Sequence, residues 1–383
     1  MRRIVNKLRV FVPLWLTFLL HKDTEAQRAP SLTRHKRDAG ARRGSRDIRF
    51  VGEKMMLYLL LVLGMQANVL AQKVEEVGMV SMTVADLSQS TRFFEEVLNF
   101  KKIFETIEHG KALDQLFGMD NVRIRKAHLT LGEEKIALIQ FMAPEGGRKI
   151  PMDSKSNDLW FHHIAIVVSD MDRAYARLRQ HHVKHVSTSP QTLPDYIPAA
   201  AGISAFYFRD PDDHNLEIIY FPAGKGNPRW QTTGAQLLLG IDHTAFAVAN
   251  TQESLIFYRD ILGMQVGGQS ENYGPEQEHL NQVFGARLLI TGLHGDKGMG
   301  LEFLNYLAPP GGRPYPENSK PNDLWHWHTE LKVQHIEQVY QKLQKAGAAF
   351  ISNRIVNLQK YHFNAKSGFL VRDPNGHALL ITE

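Results

Sequence analysis

Short strand-like runs recur along the chain at Val80–Val84, Ile164–Val168, Thr244–Val248 and Thr329–Val333. Each is followed by a segment in which apolar residues return with helical period. Met171–Leu178 and Ile336–Leu343 are two of these, with Tyr175 and Tyr340 equivalent, and the segment around Phe93 and Phe94 is another. Two or three more strand-like runs follow each helix. The last of each set is Ile136–Phe141, Leu216–Phe221, Leu301–Tyr306 or Leu379–Thr382. The pattern predicts strand, helix, three strands, four times over. Connectors rich in proline and glycine, at Pro144–Pro151, Pro222–Pro228 and Pro309–Pro321, separate the units.

The halves repeat each other. Arg92–Phe100 matches Ile256–Met264, Leu113–Gly118 matches Leu280–Gly285, Asn157–Trp160 matches Asn322–Trp325, and Phe206–Pro211 matches Phe369–Pro374. The offsets are 164, 167, 165 and 163 residues, so the chain is a duplication of a half that is itself double. One quarter is too small to bury both faces of its sheet. The expected fold is α+β: four βαβββ modules pairing into two eight-stranded half-barrels, each with a cleft in its concave face. The expected domains are 72–222 and 238–383, with a linker at 223–237.

Charge changes the picture only at the N-terminus. Residues 1–54 hold 14 Lys and Arg against 5 Asp and Glu, whereas 72–383 hold 31 against 35. The basic balance belongs to the leading arm, and nothing in the folded part calls for nucleic acid. The apolar run Met56–Gly64, preceded by Lys54 and followed by Val69-Leu70-Ala71, has the layout of a secretory signal peptide cleaved near Ala71. It is too short to span a bilayer. Residues 55–71 are read as that peptide and 1–54 as a basic leader, with translation starting at Met55 or Met56. The mature chain is then secreted or periplasmic, begins near Gln72, and has no membrane segment. With no cysteine in the chain, disulfides, thiol nucleophiles and iron–sulfur clusters are excluded. Any metal must be held by His, Asp or Glu.

Those types recur at matched places. The first strand of each quarter carries Met79, His163, His243 or His328, and the last strand carries Ala137, Glu217, Glu302 or Leu380. A buried carboxylate needs a partner. Two histidines with a carboxylate make a divalent-metal site that leaves positions open for substrate. His162, His326 and Trp327 read as residues alternating across a strand. Arg209-Asp210-Pro211 and Arg372-Asp373-Pro374 read as turn starts, and His181, His182 and His185 as a solvated helix end. Tyr273 and Glu276 fall in a long loop that could cover the cleft.

Gly240–Val248, Phe161–Asp170 and Phe206–Glu217 resemble the vicinal-oxygen-chelate superfamily. It includes glyoxalase I, methylmalonyl-CoA epimerase, extradiol dioxygenases and the bleomycin and fosfomycin resistance proteins. The resemblance covers about residues 75–383. It implies a divalent ion (Fe, Zn, Mn or Ni) in one of two ligand sets. If neighbouring quarters pair, His243, Glu302 and His328 form a site and the first half keeps only His163 and Glu217. If the middle quarters pair, His163, Glu217, His243 and Glu302 form one. Neighbouring pairs are expected, because the halves repeat as units.

The implied activity is that of an exported metal enzyme, a lyase, isomerase or dioxygenase. Its small substrate would chelate the ion through vicinal oxygens, with Glu302 or Glu217 moving a proton. Leu370 and Leu380 depart from the extradiol dioxygenase pattern; Tyr207 and Glu217 match it, although Asp213 replaces its glycine. His362 falls near that family's catalytic histidine but reads better as a surface loop residue. The alternative is a non-catalytic small-molecule binder of the bleomycin-resistance type, as a monomer or homodimer. Export would set the chain apart from glutathione-dependent chemistry.

Overall fold

The computed structural model describes residues 73–383, apart from 232, 233 and 311. The predicted leader and signal peptide lie outside the described residues. The first module comprises β1 (Val74–Thr83), α1 (Leu87–Glu96), β2 (Lys101–His109), α2 (Lys111–Phe117), β3 (Arg123–Leu131) and β4 (Glu134–Ala143). The second comprises β5 (His162–Val168), α3 (Met171–Gln180), the two-residue strands β6 (Lys184–His185) and β7 (Gln191–Thr192), β8 (Ser204–Arg209) and β9 (Asn215–Tyr220). The third opens with β10 (Leu238–Ala247) and α4 (Thr251–Leu255), which runs on as a π-helical turn, Ile256–Ile261. It continues with β11 (Gln265–Tyr273), α5 (Pro275–Asn281), β12 (Arg287–His294), β13 (Lys297–Gly298) and β14 (Gly300–Ala308). The fourth comprises β15 (Trp327–Val333), α6 (Ile336–Lys345), β16 (Ala349–Phe350), β17 (Val356–Asn357), β18 (Ser367–Arg372) and β19 (Ala378–Thr382). Asp86, Asp170 and Asn250 start α1, α3 and α4 by accepting hydrogen bonds from first-turn amides.

Two curved sheets result. One runs β16-β18-β19-β15-β1-β4-β3-β2, and the other β11-β12-β14-β10-β5-β9-β8-β6. Within each module the first strand lies parallel to the last, and modules join where two first strands pair antiparallel: β1 with β15, and β5 with β10. The expected eight-strand paths are present, but the pairing differs from the expectation. The middle modules share one sheet and the outer modules the other, except that the two-residue β13 of the third module pairs with β1 in the outer sheet. Residues 72–222 and 238–383 are therefore units of duplication rather than of packing. The segment 223–237 is part of the middle sheet's own packing, because its Trp230 is buried on the Ala165, Val167 and Ile219 cluster.

The largest core explains the layering. Val80, Met82, Ile164, Ile166, Phe246, Phe303, Leu331 and Ile381 come from both sheets, and Phe94, Leu178, Tyr258 and Leu343 from all four long helical segments, in one apolar cluster. The helices fill the space between the convex faces, and the concave faces look outward.

The pairing is fixed by the two crossover connectors, 144–161 and 309–326, which clasp each other with near two-fold symmetry. The Arg148 backbone N–H and guanidinium donate to Asp323 (2.8 and 2.7 Å), and those of Arg313 donate to Asp158 (3.0 and 2.7 Å). Leu324 N–H donates to Arg148 O, and Leu159 N–H to Arg313 O. Each guanidinium also covers a tryptophan of the other connector, Arg148 on Trp325 and Arg313 on Trp160. Gly147 and Gly312 are required at the crossing: a Cβ there would stand 1.6 and 1.5 Å from the carbonyl oxygens of Asn322 and Asn157. The turn arginines dock onto the same connectors, Arg209 on Ser154 O and Arg372 on Ser319 O. His214 adds a further tie. Its Nδ1 meets Asp210 at 2.8 Å and its Nε2 meets Leu324 O at 2.7 Å.

Asp158 is buried and accepts four hydrogen bonds, two of them from the Arg313 side chain. Asp158→Ala should cost about 2–3 kcal/mol, measured as a lower urea midpoint. Asp153→Ala removes an exposed partner of the same arginine and should cost no more than about 0.5 kcal/mol. Equal effects would refute the clasp as a stabilising element. Burial alone would lower the His214 pKa, but Asp210 and the Leu324 carbonyl raise it to about 9 from 6.5. Its stabilising contribution is therefore complete below pH 6.5 and lost as pH rises through 9. The stability gap between the wild type and His214→Gln should be wide at pH 6 and closed at pH 10 by urea titration.

Candidate metal centre

Strand alternation sorts the middle sheet into two faces. On β5, Ile164, Ile166 and Val168 join the helical core, leaving His163 on the concave side. On β9, Leu216 and Ile218 face the core and Glu217 faces the cleft; on β14, Leu301 and Phe303 face the core and Glu302 the cleft. A register shift in β10 between Ile241 and His243 lets Asp242 and His243 both line the cleft. Register supplies room as well. Glu302 stands opposite Gly292 on β12, and the missing side chain there opens the cavity beside it.

The antiparallel β5–β10 seam brings the four side chains together. His163 Nε2 lies 3.0 Å from Glu217 Oε2, and His243 Nε2 lies 3.7 Å from the same oxygen and 3.4 Å from Glu302 Oε2. One donor atom each from His163, Glu217 and His243 falls within 4.8 Å of the others, and Glu302 flanks this compact group on the His243 side. Both ring nitrogens of His163 are buried without a hydrogen-bond partner, despite the close carboxylate. The approach is near but out of line, as for two groups whose lone pairs aim at a common point. Imidazole nitrogens with carboxylate oxygens suit a first-row divalent ion, and an orphaned imidazole nitrogen between them marks where it fits.

His243 is oriented from behind. Its Nδ1 lies 3.0 Å from Asp242 Oδ2, and Trp230 Nε1 donates to the other oxygen of that carboxylate. This leaves Nε2 to face the cleft, the arrangement by which a carboxylate fixes a ligating histidine. Burial disfavours charge on His243, but Glu302, Asp242 and Glu217 outweigh it and raise the pKa to about 10. Burial likewise raises the Glu302 pKa, with Asp242 and Glu217 adding to the rise and His243 opposing it. The site thus gathers excess negative charge, which a cation can neutralise in place of the His243 proton.

The cavity at this centre has a volume of 410 Å³. Leu193, Ile203, Ile219 and Phe221 form an apolar wall, and Gln269, Ser270, Asn272 and Gln277 stand along the β11 and α5 side. Tyr207 lies beside the ligands; burial and then Glu217 raise its pKa well above the ordinary range, so the phenol stays neutral. Tyr196 reaches across from 193–200 to Glu276 Oε2 at 3.2 Å and packs on Tyr273. The predicted covering loop is thus the end of β11 and the start of α5.

The outer sheet does not repeat this centre. His328 is buried on β15, against Phe117 and 3.4 Å from His326, and its pKa falls to about 3 through burial and then Lys126. The expected set of His243, Glu302 and His328 is therefore not formed, because His328 sits in the other sheet. Met79, Ala137 and Leu380 offer no donors beside it, and His128 fills the place opposite Ala137 that Gly292 leaves open opposite Glu302. A buried Lys126–Glu108 pair, 3.1 Å apart, anchors the His362 loop there, with His362 Nδ1 2.9 Å from Glu108. His362 thus belongs to the outer cleft. His162 points into the core and bonds Thr244 Oγ1 at 2.7 Å. Asp242 was missed from sequence; only its adjacency to His243 could have flagged it.

Comparison with known proteins agrees with this fold. The family model for the glyoxalase/bleomycin resistance protein/dioxygenase superfamily matches twice, at residues 76–218 and 240–381. A 2-epi-5-epi-valiolone epimerase from an Actinomyces species is 33% identical over 149 residues, covering 38% of this chain and 79% of the relative. Glyoxalase I from Zea mays has the same fold at 15% identity, with a TM-score of 0.53 over 80% of this chain and 92% of that one. A putative dioxygenase from Bacillus subtilis follows at 14% identity, with a TM-score of 0.50 over 82% of this chain and 86% of that one. With both halves matched by the family model, the chain belongs to the glyoxalase/bleomycin resistance protein/dioxygenase superfamily.

Proposed function

We propose that this chain is a divalent-metal-dependent enzyme of isomerase or epimerase type, acting on a small substrate that presents two neighbouring oxygens to the ion. The observation that carries the reading is the convergence of His163, Glu217 and His243 within 4.8 Å, with the His163 nitrogens unpartnered. The relative named as an epimerase supports the reaction class. The bound ion would stabilise negative charge developing on a substrate carbonyl oxygen.

The protein's residues supply the rest. His163, Glu217 and His243 would hold the ion, and Asp242 orients His243 through Nδ1. Glu302, at the flank of the group and half-buried, takes a proton from the carbon beside the carbonyl, the electron pair moving toward the carbonyl oxygen. Return of a proton to carbon completes the turnover. Burial makes Glu302 a stronger base than a solvated carboxylate. The apolar wall keeps bulk water from the carbanion-like intermediate.

Metal analysis of the purified protein loaded with Zn, Mn, Ni or Fe should give one ion per chain. His163→Ala, Glu217→Ala and His243→Ala should each empty the site, while His328→Ala and His162→Ala should leave it filled. Asp242→Asn should weaken binding by roughly 10–100-fold. Glu302→Gln should keep the metal and slow solvent deuterium exchange at the substrate carbon by roughly 10²–10⁴-fold. Absence of stoichiometric metal, or retention of it by His243→Ala, would leave the non-catalytic binder as the better account.

A further inference from the structure

The irregular stretch of β10 that presents Asp242 and His243 together is held from outside its own sheet. Pairing with β14 begins only at His243, and the register against β5 shifts just before it. The outer sheet packs against β10 at this place. The turn between β3 and β4 comes so close that a Cβ on Gly132 would stand 2.4 Å from Leu239 O. Glu134, the first residue of β4, is buried, and its Oε2 accepts from the Ile241 N–H at 3.0 Å. Gly240 makes room for that carboxylate, since a Cβ there would lie 2.5 Å from the same oxygen. An extra residue in a strand interrupts the ladder, and its backbone groups must then be satisfied by other partners. Glu134 supplies such a partner one residue before Asp242.

Arg229 completes the arrangement. Its guanidinium meets the other oxygen of Glu134 at 2.7 Å, so the buried carboxylate is not left without a counter-charge. The same group donates to Ile241 O at 3.5 Å and lies over the Trp230 ring, 3.9 Å from its centre. Trp230 in turn donates to Asp242, and Asp242 fixes Nδ1 of His243. An unbroken series of contacts therefore runs from β4 of the outer sheet through Arg229, Trp230 and Asp242 to a ligand position of the ion site. The outer sheet has a comparable irregularity in β1, between Val77 and Val80. There the carboxylate comes from within the sheet: Glu330 on β15 accepts from the Met79 N–H at 3.5 Å.

We propose that Glu134 and Arg229 are positioning residues of the metal centre. The first module, whose own Met79 and Ala137 offer no donors, braces the bulge from which the middle sheet presents Asp242 and His243. Neither Glu134 nor Arg229 lines the metal cavity; both line the outer cleft, so their effect is carried by Ile241 and Trp230. In a regular strand two successive residues face opposite ways. Asp242 and His243 can share the cleft only while the bulge persists, and a slip of one residue would turn one of them away. The inference rests on the proposed metal centre and adds to it two residues held outside its cavity.

Zinc affinity of the full chain by chelator competition, with the visible absorption spectrum of the cobalt(II)-loaded protein, tests the brace. Glu134→Ala should weaken zinc binding by about tenfold, the lower end of what contacts behind a metal ligand contribute, and should shift the cobalt bands. Glu134→Gln keeps an acceptor for the Ile241 N–H and should recover most of the affinity and the wild-type spectrum. Arg229 is half-buried, and Arg229→Met should weaken zinc in the same direction, which keeps the brace testable should Glu134→Ala fail to fold. Glu330→Ala removes the corresponding carboxylate from the outer sheet and should leave both readouts unchanged. Urea midpoints of the metal-free proteins separate loss of fold from loss of the site. Unchanged zinc affinity and spectrum in folded Glu134→Ala, or equal losses in Glu134→Ala and Glu330→Ala, would overturn the brace while leaving the metal centre standing. A wild type that takes up neither ion would overturn the metal centre, and the brace with it.

Discussion

The mutual grip of the two crossover connectors is the interaction on which the rest of this structure depends. Modules one and three are copies of one kind, and two and four of another. A sheet needs one of each, a demand met either by neighbours or by the middle and outer pairs. Arg148 on Asp323 and Arg313 on Asp158 hold the crossovers side by side, so the chain leaves the outer sheet once and returns to it once. Everything at the metal centre follows, because His163 and Glu217 come from one module and His243 and Glu302 from another. Only the β5–β10 seam brings them within reach of a single ion.

The centre is an electrostatic imbalance held in place by neutral packing. Apolar side chains on the convex face fix the strands, and the alternating positions are then forced toward the cleft whatever their charge. Glu217 sits beneath His163 with almost no water, and Asp242 holds His243 by its far nitrogen. Such an arrangement is unfavourable for bare protein and favourable around a cation, a common cost of preorganised sites. The outer sheet shows the same frame relieved of that demand. Met79, Ala137 and Leu380 remove the donors, and Lys126 with Glu108 forms a closed ion pair of its own.

Much of this was legible in the sequence, and the limits have physical reasons. Strand alternation and the four-fold repeat gave the modules, their element order and the matched His and Glu positions. Similarity between repeats reports which segments are alike, and adjacency is a separate property set by the connectors. That is why His328 could be assigned beside His243 when it lies in the other sheet. The signal that settles the pairing was visible but read only as evidence of duplication: Asn157–Trp160 and Asn322–Trp325 recur because each supplies the buried aspartate and the tryptophan of the clasp. Arg209 and Arg372, read as turn residues, recur for a related reason, since each reaches a connector carbonyl.

Along the chain, the modules of the middle sheet lie between those of the outer sheet, and this order also sets a calendar for synthesis. All four donors of the metal centre and both central strands of its sheet are in the polymer once β14 has been made, at residue 308. The outer sheet begins with β1 at residue 74, paired with β4 on one side, but lacks the antiparallel partner of that strand until β15 at residues 327–333. For the length of two whole modules, the first module carries an open edge along β1. That edge is a ready template for pairing with another chain until the fourth module arrives to close it.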